Sequence, residues 1–260
     1  MTLRDKLRRP VLFHTVLWHG KDNQPSPTGY VSTDPLVIGD QLSLMQAFGG
    51  PGAGVVALTY GPTVSPFIHD ACMEMSLQCA ERQMPFALCF DPWTCSKNGV
   101  KYTQQADIDQ AMILALNHPD TKIILNSRSY LPARPSASGY GVPVLDFATG
   151  CNRTTVQAAC KNVQLWMNGP DFSWPRFPGK TSNAVIQLPC VCLEFNDGTG
   201  KDRNVSATAG GPARIIPALS GGFWNSLVAT LPATLGYVQV ITWNDVSEGT
   251  DVEKIASALY

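Results

Sequence analysis

Charge is what this sequence has least of. Only 15% of its 260 residues are Asp, Glu, Lys or Arg, against ~25% in ordinary globular domains. Its 19 basic and 20 acidic residues leave a formal net charge of -1. That balance supplies no basic field to hold nucleic acid or an anionic membrane surface. A neutral or weakly charged substrate fits better, and neither nucleic acid nor membrane is expected as a partner.

Long hydrophobic runs are also missing. No stretch reaches the ~20 apolar residues that span a bilayer. The opening "MTLRDKLRRPVLFHTVLW" puts basic residues before an apolar run, as a signal peptide does. The run is short, contains His14 and lacks a small-residue cleavage site, so it reads as a first strand. The expectation is a protein without an export signal, one that stays in the cytoplasm or leaves by lysis or in a particle. No Gly-rich nucleotide loop follows that strand. No internal repeat and no low-complexity block is visible. The eight cysteines include no Cys-x-x-Cys pair with a second pair or a nearby His, which excludes the usual structural zinc patterns. The four His show no metal-ligand spacing, so neither metal nor other cofactor is expected. Most cysteines lie in apolar runs and read as buried thiols. Cys151 with Cys160 stays open as a pair. Asn152-Arg-Thr and Asn204-Val-Ser match the glycosylation acceptor pattern by chance if nothing directs secretion.

Apolar residues, at 44% of the chain, are plentiful. Strand-like runs recur at 11–18, 54–60, 86–91, 122–127, 143–148, 163–167, 184–194 and 237–243. Most are continuous rather than alternating, as in parallel strands buried on both faces. Helical patterns at 67–84, 104–118, 152–162 and 221–235 lie between them, and "TDVEKIASALY" closes the chain with Thr250 as N-cap and Glu253 three residues on. Pro/Gly-rich stretches at 20–35, 132–143, 168–183 and 196–213 read as loops. The alternation predicts an α/β fold, a (β/α)8 TIM barrel in one domain spanning 1–260, with a doubly wound sheet as the runner-up.

In a barrel, chemistry gathers where strands end. The predicted ends carry one chemical type: His14 and Trp18, Tyr60, Asp91 and Trp93, Asn126 with Tyr130 beyond, Glu194 to Asp197, and Trp243-Asn244. Aromatic platforms among carboxylates and amides suit a sugar, whose apolar faces stack and whose hydroxyls need directional partners. Each residue also has a purely structural reading. His14 serves equally as a core histidine, Asp91 before Pro92 as a turn cap, and Tyr60 and Trp93 as packing. His69 and His118, near helix ends, read as solvated, and Asp146 as a buried support. Asp245 and Glu248 follow Trp243-Asn244 three residues apart. Asp245 alone reads as a cap and Glu248 alone as solvated. Together they match the two carboxyl groups that most glycosidases need, one protonated and one ionised.

"VQVITWNDVSEGT" (238–250) resembles the end of the barrel in glycoside hydrolase family 71, the α-1,3-glucanases, where a Thr-Trp-Asn-Asp-x-x-Glu segment follows the last strand. It is also similar to the Trp-Asn-Glu-x-x-Glu-Gly-Thr segment of the family 99 endo-mannosidases. "VLFHTVLWHG" resembles the family 71 opening strand with its His, and "FALCFDPW" its third strand ending in Phe-Asp. Where family 71 begins its second strand with a Gly-Ile-Asp-like turn, this chain reads Gly52-Ala53-Gly54. The resemblance implies a (β/α)8 glycosidase cleaving an α-linked glucan or mannan. Asp245 and Glu248 would be catalytic, with the acid second, and Asp91 and His14 would line the site. It leaves open whether the first carboxylate acts as a base on water or assists the sugar's own 2-hydroxyl. Trp18, Tyr60, Trp93, Tyr130, Trp243 and Asn244 complete the expected sugar contacts. A second class stays beside this one: a carbohydrate-binding or structural barrel without turnover, such as a phage or other particle-associated protein would carry.

Overall fold

The computed structural model describes residues 2–20, 29–59, 61–62, 65–90, 104–126, 142–146, 151–161, 163–167, 190–192, 195–196, 215–216, 236–244 and 252–259. After a short capped helix α1 (Leu3–Leu7), the order is β1 (Val11–Thr15), α2 (Pro35–Gly49), β2 (Gly54–Thr59), α3 (Pro66–Glu81) and β3 (Phe86–Phe90). Then come α4 (Gln105–Asn117), α5 (Pro119–Asn126), β4 (Val142–Asp146), α6 (Arg153–Ala159) and β5 (Val163–Met167). The chain continues through β6 (Cys190–Cys192), β7 (Phe195–Asn196), β8 (Ile215–Ile216), β9 (Val238–Ile241) and α7 (Val252–Ser257). Among the described residues no helix is long and apolar enough to cross a membrane.

Seven strands form one sheet in the order β5-β4-β3-β2-β1-β9-β6, and every pairing in it is parallel. The last strand of the sheet in sequence, β9, therefore lies beside the first. Val11 opposes Val238 and Phe13 opposes Val240. Strands β7 and β8 pair antiparallel in a separate two-stranded ribbon, so Phe195 and Asn196 do not prolong β6 as predicted.

The two faces of the sheet are covered differently. Val11, Phe13, Val55, Ala57, Phe86, Leu88, Phe90, Val144, Leu165 and Val240 join a core with buried residues from every described helix, among them Leu7, Leu42, Met75, Met112, Ile124, Val156 and Val252. The alternate residues Leu12, Val56, Leu58, Ala87, Cys89, Leu145 and Trp166 form a second buried cluster with Val16, and among the described residues no helix contributes to it. A doubly wound sheet carries helices on both faces; a sheet curled toward a barrel carries them on the outside only. Among the described residues the arrangement is one-sided, as in a curled sheet.

One predicted strand is a helix. Residues 122–127 belong to α5 up to Asn126. Thr121, Ile124 and Leu125 are buried while Ile123 is 51% exposed, a three-to-four-residue period rather than alternation. Pro119 ends α4, and its fixed φ suits the first position of α5. Helix α2, inside and beyond the predicted 20–35 loop, carried its own signals. Asp34 caps Leu36 N–H at 2.9 Å, Pro35 opens the helix, and Ile38, Leu42 and Met45 keep to one buried stripe. The predicted helix at 221–235 and the cap Thr250 lie outside the described residues.

Candidate functional site at the C-terminal end of the central strands

The ladder between β1 and β9 runs on past both strands. Trp243 N–H donates to the His14 carbonyl at 2.7 Å. The next residue, Asn244, is fully buried, and its side-chain amide and its carbonyl are engaged on this rim. Its Oδ1 accepts from Val16 N–H at 3.0 Å, and its Nδ2 donates to the Tyr30 hydroxyl at 2.9 Å. Its carbonyl accepts from His19 Nε2 at 2.9 Å, which fixes the tautomer with the proton on that nitrogen. Tyr30 in turn donates to a Glu253 carboxylate oxygen at 2.9 Å. His19 and Ser32 exchange two bonds: His19 N–H to the Ser32 hydroxyl at 3.1 Å, and Ser32 N–H to the His19 carbonyl at 2.9 Å. Burial first, and then the Glu253 carboxylate, push the Tyr30 phenol well above its ordinary range, so it stays a neutral donor.

Residues 245–251 lie outside the described residues, but both flanks are tied to this network. Val252 N–H donates to the Thr242 carbonyl at 3.2 Å and Glu253 N–H to that of Trp243 at 2.7 Å. Asn244 and Val252, on either side of 245–251, are both bonded at this rim.

Several sequence-predicted site residues have definite places. His14 is fully buried in β1, on the same strand alternation as Leu12 and Val16 of the inner face. Burial pushes its imidazole down to about 3, opposed by a hydrogen bond with the Gln239 side chain. Trp18 is half-buried beyond the end of β1 and packs against both cores. Trp243 is fully buried in the helix-side core, edge-on to Phe13 at 4.9 Å. A side chain so placed has no face to offer a sugar, and its role here is packing. Asn244 spends its amide on Val16 and Tyr30, a structural clamp. Tyr60, Asp91, Trp93, Tyr130, Asp245 and Glu248 lie outside the described residues. Tyr60 and Asp91 directly follow the last residues of β2 and β3. Tyr130 follows a helix rather than a strand.

The clamp residues Tyr30, His19 and Ser32, and Gln239 beside His14, were not singled out from the sequence. Tyr30 sits beside a Pro/Gly-rich stretch, where a lone Tyr carries no signal. Glu253 was expected to help cap the last helix with Thr250, which lies outside the described residues; its carboxylate meets Tyr30.

A second polar cluster lies in the helix layer. His69, expected to be solvated, is 1% exposed. Its ring lies edge-on to that of His118, 6.4 Å between centroids. His118 Nδ1 accepts from Asp120 N–H at 3.3 Å. Burial pulls the His69 imidazole down, against the pull of Asp120 and Asp70. Among the described residues no three His, Cys, Asp or Glu side chains stand close enough to hold a metal ion. Cys151 and Cys160 are not joined in a disulfide; Cys160 Sγ accepts from Asn117 Nδ2 at 3.2 Å. Asn152 uses its side chain to cap Thr155 N–H at the start of α6.

The fold and rim place the chain in a class: an α/β protein with a curled parallel sheet, helices outside, and a polar network at the C-terminal end of its central strands. Two solved structures share that fold. A GH99 endo-alpha-mannosidase from Bacteroides thetaiotaomicron, in complex with Bis-Tris propane, superposes with a TM-score of 0.63 at 10% identity, over 94% of this chain and 87% of that one. A second structure of the GH99 endo-alpha-mannosidase from that organism gives 0.61 at 8% identity, with the same coverage. No protein-family sequence model matches the chain, and no curated protein does.

Proposed function

We propose that the chain is a glycoside hydrolase of α-linked glucans or mannans, in which the curled sheet closes into a (β/α)8 barrel formed by residues 1–260. Asp245 and Glu248 are its catalytic carboxylates. The carrying observation is that residues 245–251 are anchored at both ends on the C-terminal rim of β1 and β9, the end of a barrel where active sites assemble. The fold likeness to an endo-alpha-mannosidase supports the reading. Glu248 acts as general acid; Asp245 acts as base or assists the sugar's 2-hydroxyl. Trp18, Tyr60, Trp93 and Tyr130 supply stacking faces, Asp91 binds hydroxyls, and the neutral His14 supports the floor beneath them. Trp243 and Asn244 hold the rim.

The test is turnover of α-1,3- and α-1,6-linked glucans and mannans and of an aryl glycoside with an activated leaving group. Protonation matters most for poor leaving groups. Glu248→Gln is expected to lose most activity on polysaccharide and much less on the aryl glycoside. Asp245→Asn is expected to lose about 10²–10⁴-fold on both. Saturable binding with no product from the wild type would replace the enzyme with the sugar-binding module.

A further inference from the structure

We propose that Tyr30 is a positioning residue for the carboxylate segment: its hydroxyl, seated between Asn244 and Glu253, sets the two ends from which residues 245–251 are hung. The inference deepens the proposed function and rests on its reading of Asp245 and Glu248. One oxygen accepts from Asn244 Nδ2 and donates to Glu253, each at 2.9 Å. Asn244 directly precedes Asp245, and Glu253 follows Glu248 by five residues. The hydroxyl therefore links the outgoing end of the segment to the incoming end through side chains, in addition to the backbone bonds at Thr242 and Trp243.

His19 completes the device. The carbonyl it holds belongs to the peptide joining Asn244 to Asp245, so its Nε2–H fixes the plane of that peptide. The His19 and Tyr30 rings meet edge-on at 5.3 Å, which holds each donor against the other. Without the Tyr30 oxygen, the Asn244 amide keeps Val16 but loses the partner of its donor. The Glu253 carboxylate, 8% exposed, loses the Tyr30 donor. Neither Tyr30 nor His19 needs to touch the sugar. They act through the backbone that carries Asp245, and a displacement of about 1 Å at a reacting group costs roughly 10²-fold in rate.

The experiment pairs backbone hydrogen exchange with steady-state kinetics. The variants are Tyr30→Phe, His19→Ala and His19→Gln, with Ser76→Ala as control. Ser76 lies buried in α3 and donates to the Met73 carbonyl at 2.8 Å, so the control also loses one buried bond. In Tyr30→Phe, exchange of peptides covering 242–256 is expected to rise about tenfold or more while β2 and β3 stay protected. On the α-linked substrate that the wild type turns over, kcat is expected to fall by a similar factor, with KM within about twofold. His19→Ala should behave alike and His19→Gln, which keeps a donor, should recover part of both losses. Ser76→Ala should change neither. Unchanged exchange at 242–256 in Tyr30→Phe overturns the clamp whether or not the wild type is active. A loosened segment with full kcat overturns the positioning role. Loosening in a wild-type background that cleaves no α-linked substrate supports the clamp and refutes the glycosidase reading, so the two failures are told apart. If Tyr30→Phe does not fold, the His19→Ala and His19→Gln pair decides by the same criteria.

Discussion

A histidine with no access to water behaves at neutral pH as a rigid amide-like donor and acceptor rather than as an acid. His14 is such a residue, with burial holding it near 3. Its folded pKa lies below the unfolded value of 6.5, so the unfolded chain takes up the proton first as pH falls. The stability it contributes is full above pH 6.5 and is lost between there and about 3. Over that interval His14 alone is expected to cost on the order of 1 kcal/mol per pH unit. His69 pulls in the same direction. Urea unfolding at pH 5 and pH 7 measures this, and His14→Gln should flatten the dependence relative to wild type. An equal slope in both would mean that the imidazole is solvated in the native state. The sequence located His14 inside the first strand, because the apolar residues around it leave little else. It did not tell His14 from a solvent-facing ligand, since that depends on which alternate residues face the strands beside it. For the same reason Trp243 read as a platform: a Trp at a strand end looks alike whether it turns outward or, as here, onto Phe13.

Helices and strands were legible where period and punctuation agreed. The helical pattern at 67–84 located α3, and the run at 163–167 gave β5 residue for residue. The sequence failed at 122–127, where three consecutive apolar residues satisfy either period and the deciding burial of Thr121 is tertiary. It failed again at α2, whose cap and stripe were hidden beside a Pro/Gly-rich stretch. Gly54 shows how tightly neighbouring elements constrain one another. It opens β2 between β1 and the approach to β3, and Val55 N–H donates to the Pro85 carbonyl at 2.8 Å. A Cβ at Gly54 would press into that carbonyl and come to 2.8 Å from both Leu12 Cδ2 and Pro85 Cβ. The backbone cannot yield as a side-chain tip does. Gly54→Ala is therefore expected to destabilise by about 1–3 kcal/mol or more. Gly236→Ala, with none of the described residues within 4 Å, should stay within about 0.5 kcal/mol. Urea midpoints of the two variants give the comparison, and equal midpoints would show that β2 is free to shift.

At the scale of the whole molecule, the question is whether the strand face on which no described helix packs is the inside of a closed barrel. The sequence pointed to a barrel through the order of its runs. The side on which the helices lie is a property of the assembled sheet and was not legible. Cysteine places reporters on both sides. Cys72 and Cys79 lie in the helix-side core, and Cys89 in the inner cluster, all with no exposed surface. Burial pushes the Cys72 thiol up to about 12 and raises Cys79 as well, so neither reacts from the native state at pH 8. If the barrel closes, Cys89 is as inaccessible as they are, and all three should be alkylated only when the molecule unfolds as a whole. Peptide mapping after timed exposure to an uncharged maleimide should then give one shared rate, rising together with added urea. An open, curled sheet would leave its inner face to fluctuations of the edge strands β5 and β6. Cys89 would then label orders of magnitude faster than Cys72 under native conditions, because a local opening is far cheaper than global unfolding. That outcome would remove the closed barrel from the proposal while leaving the parallel sheet intact. A shared rate would mean that the inner face is sealed, as a barrel with its active site confined to the C-terminal rim requires.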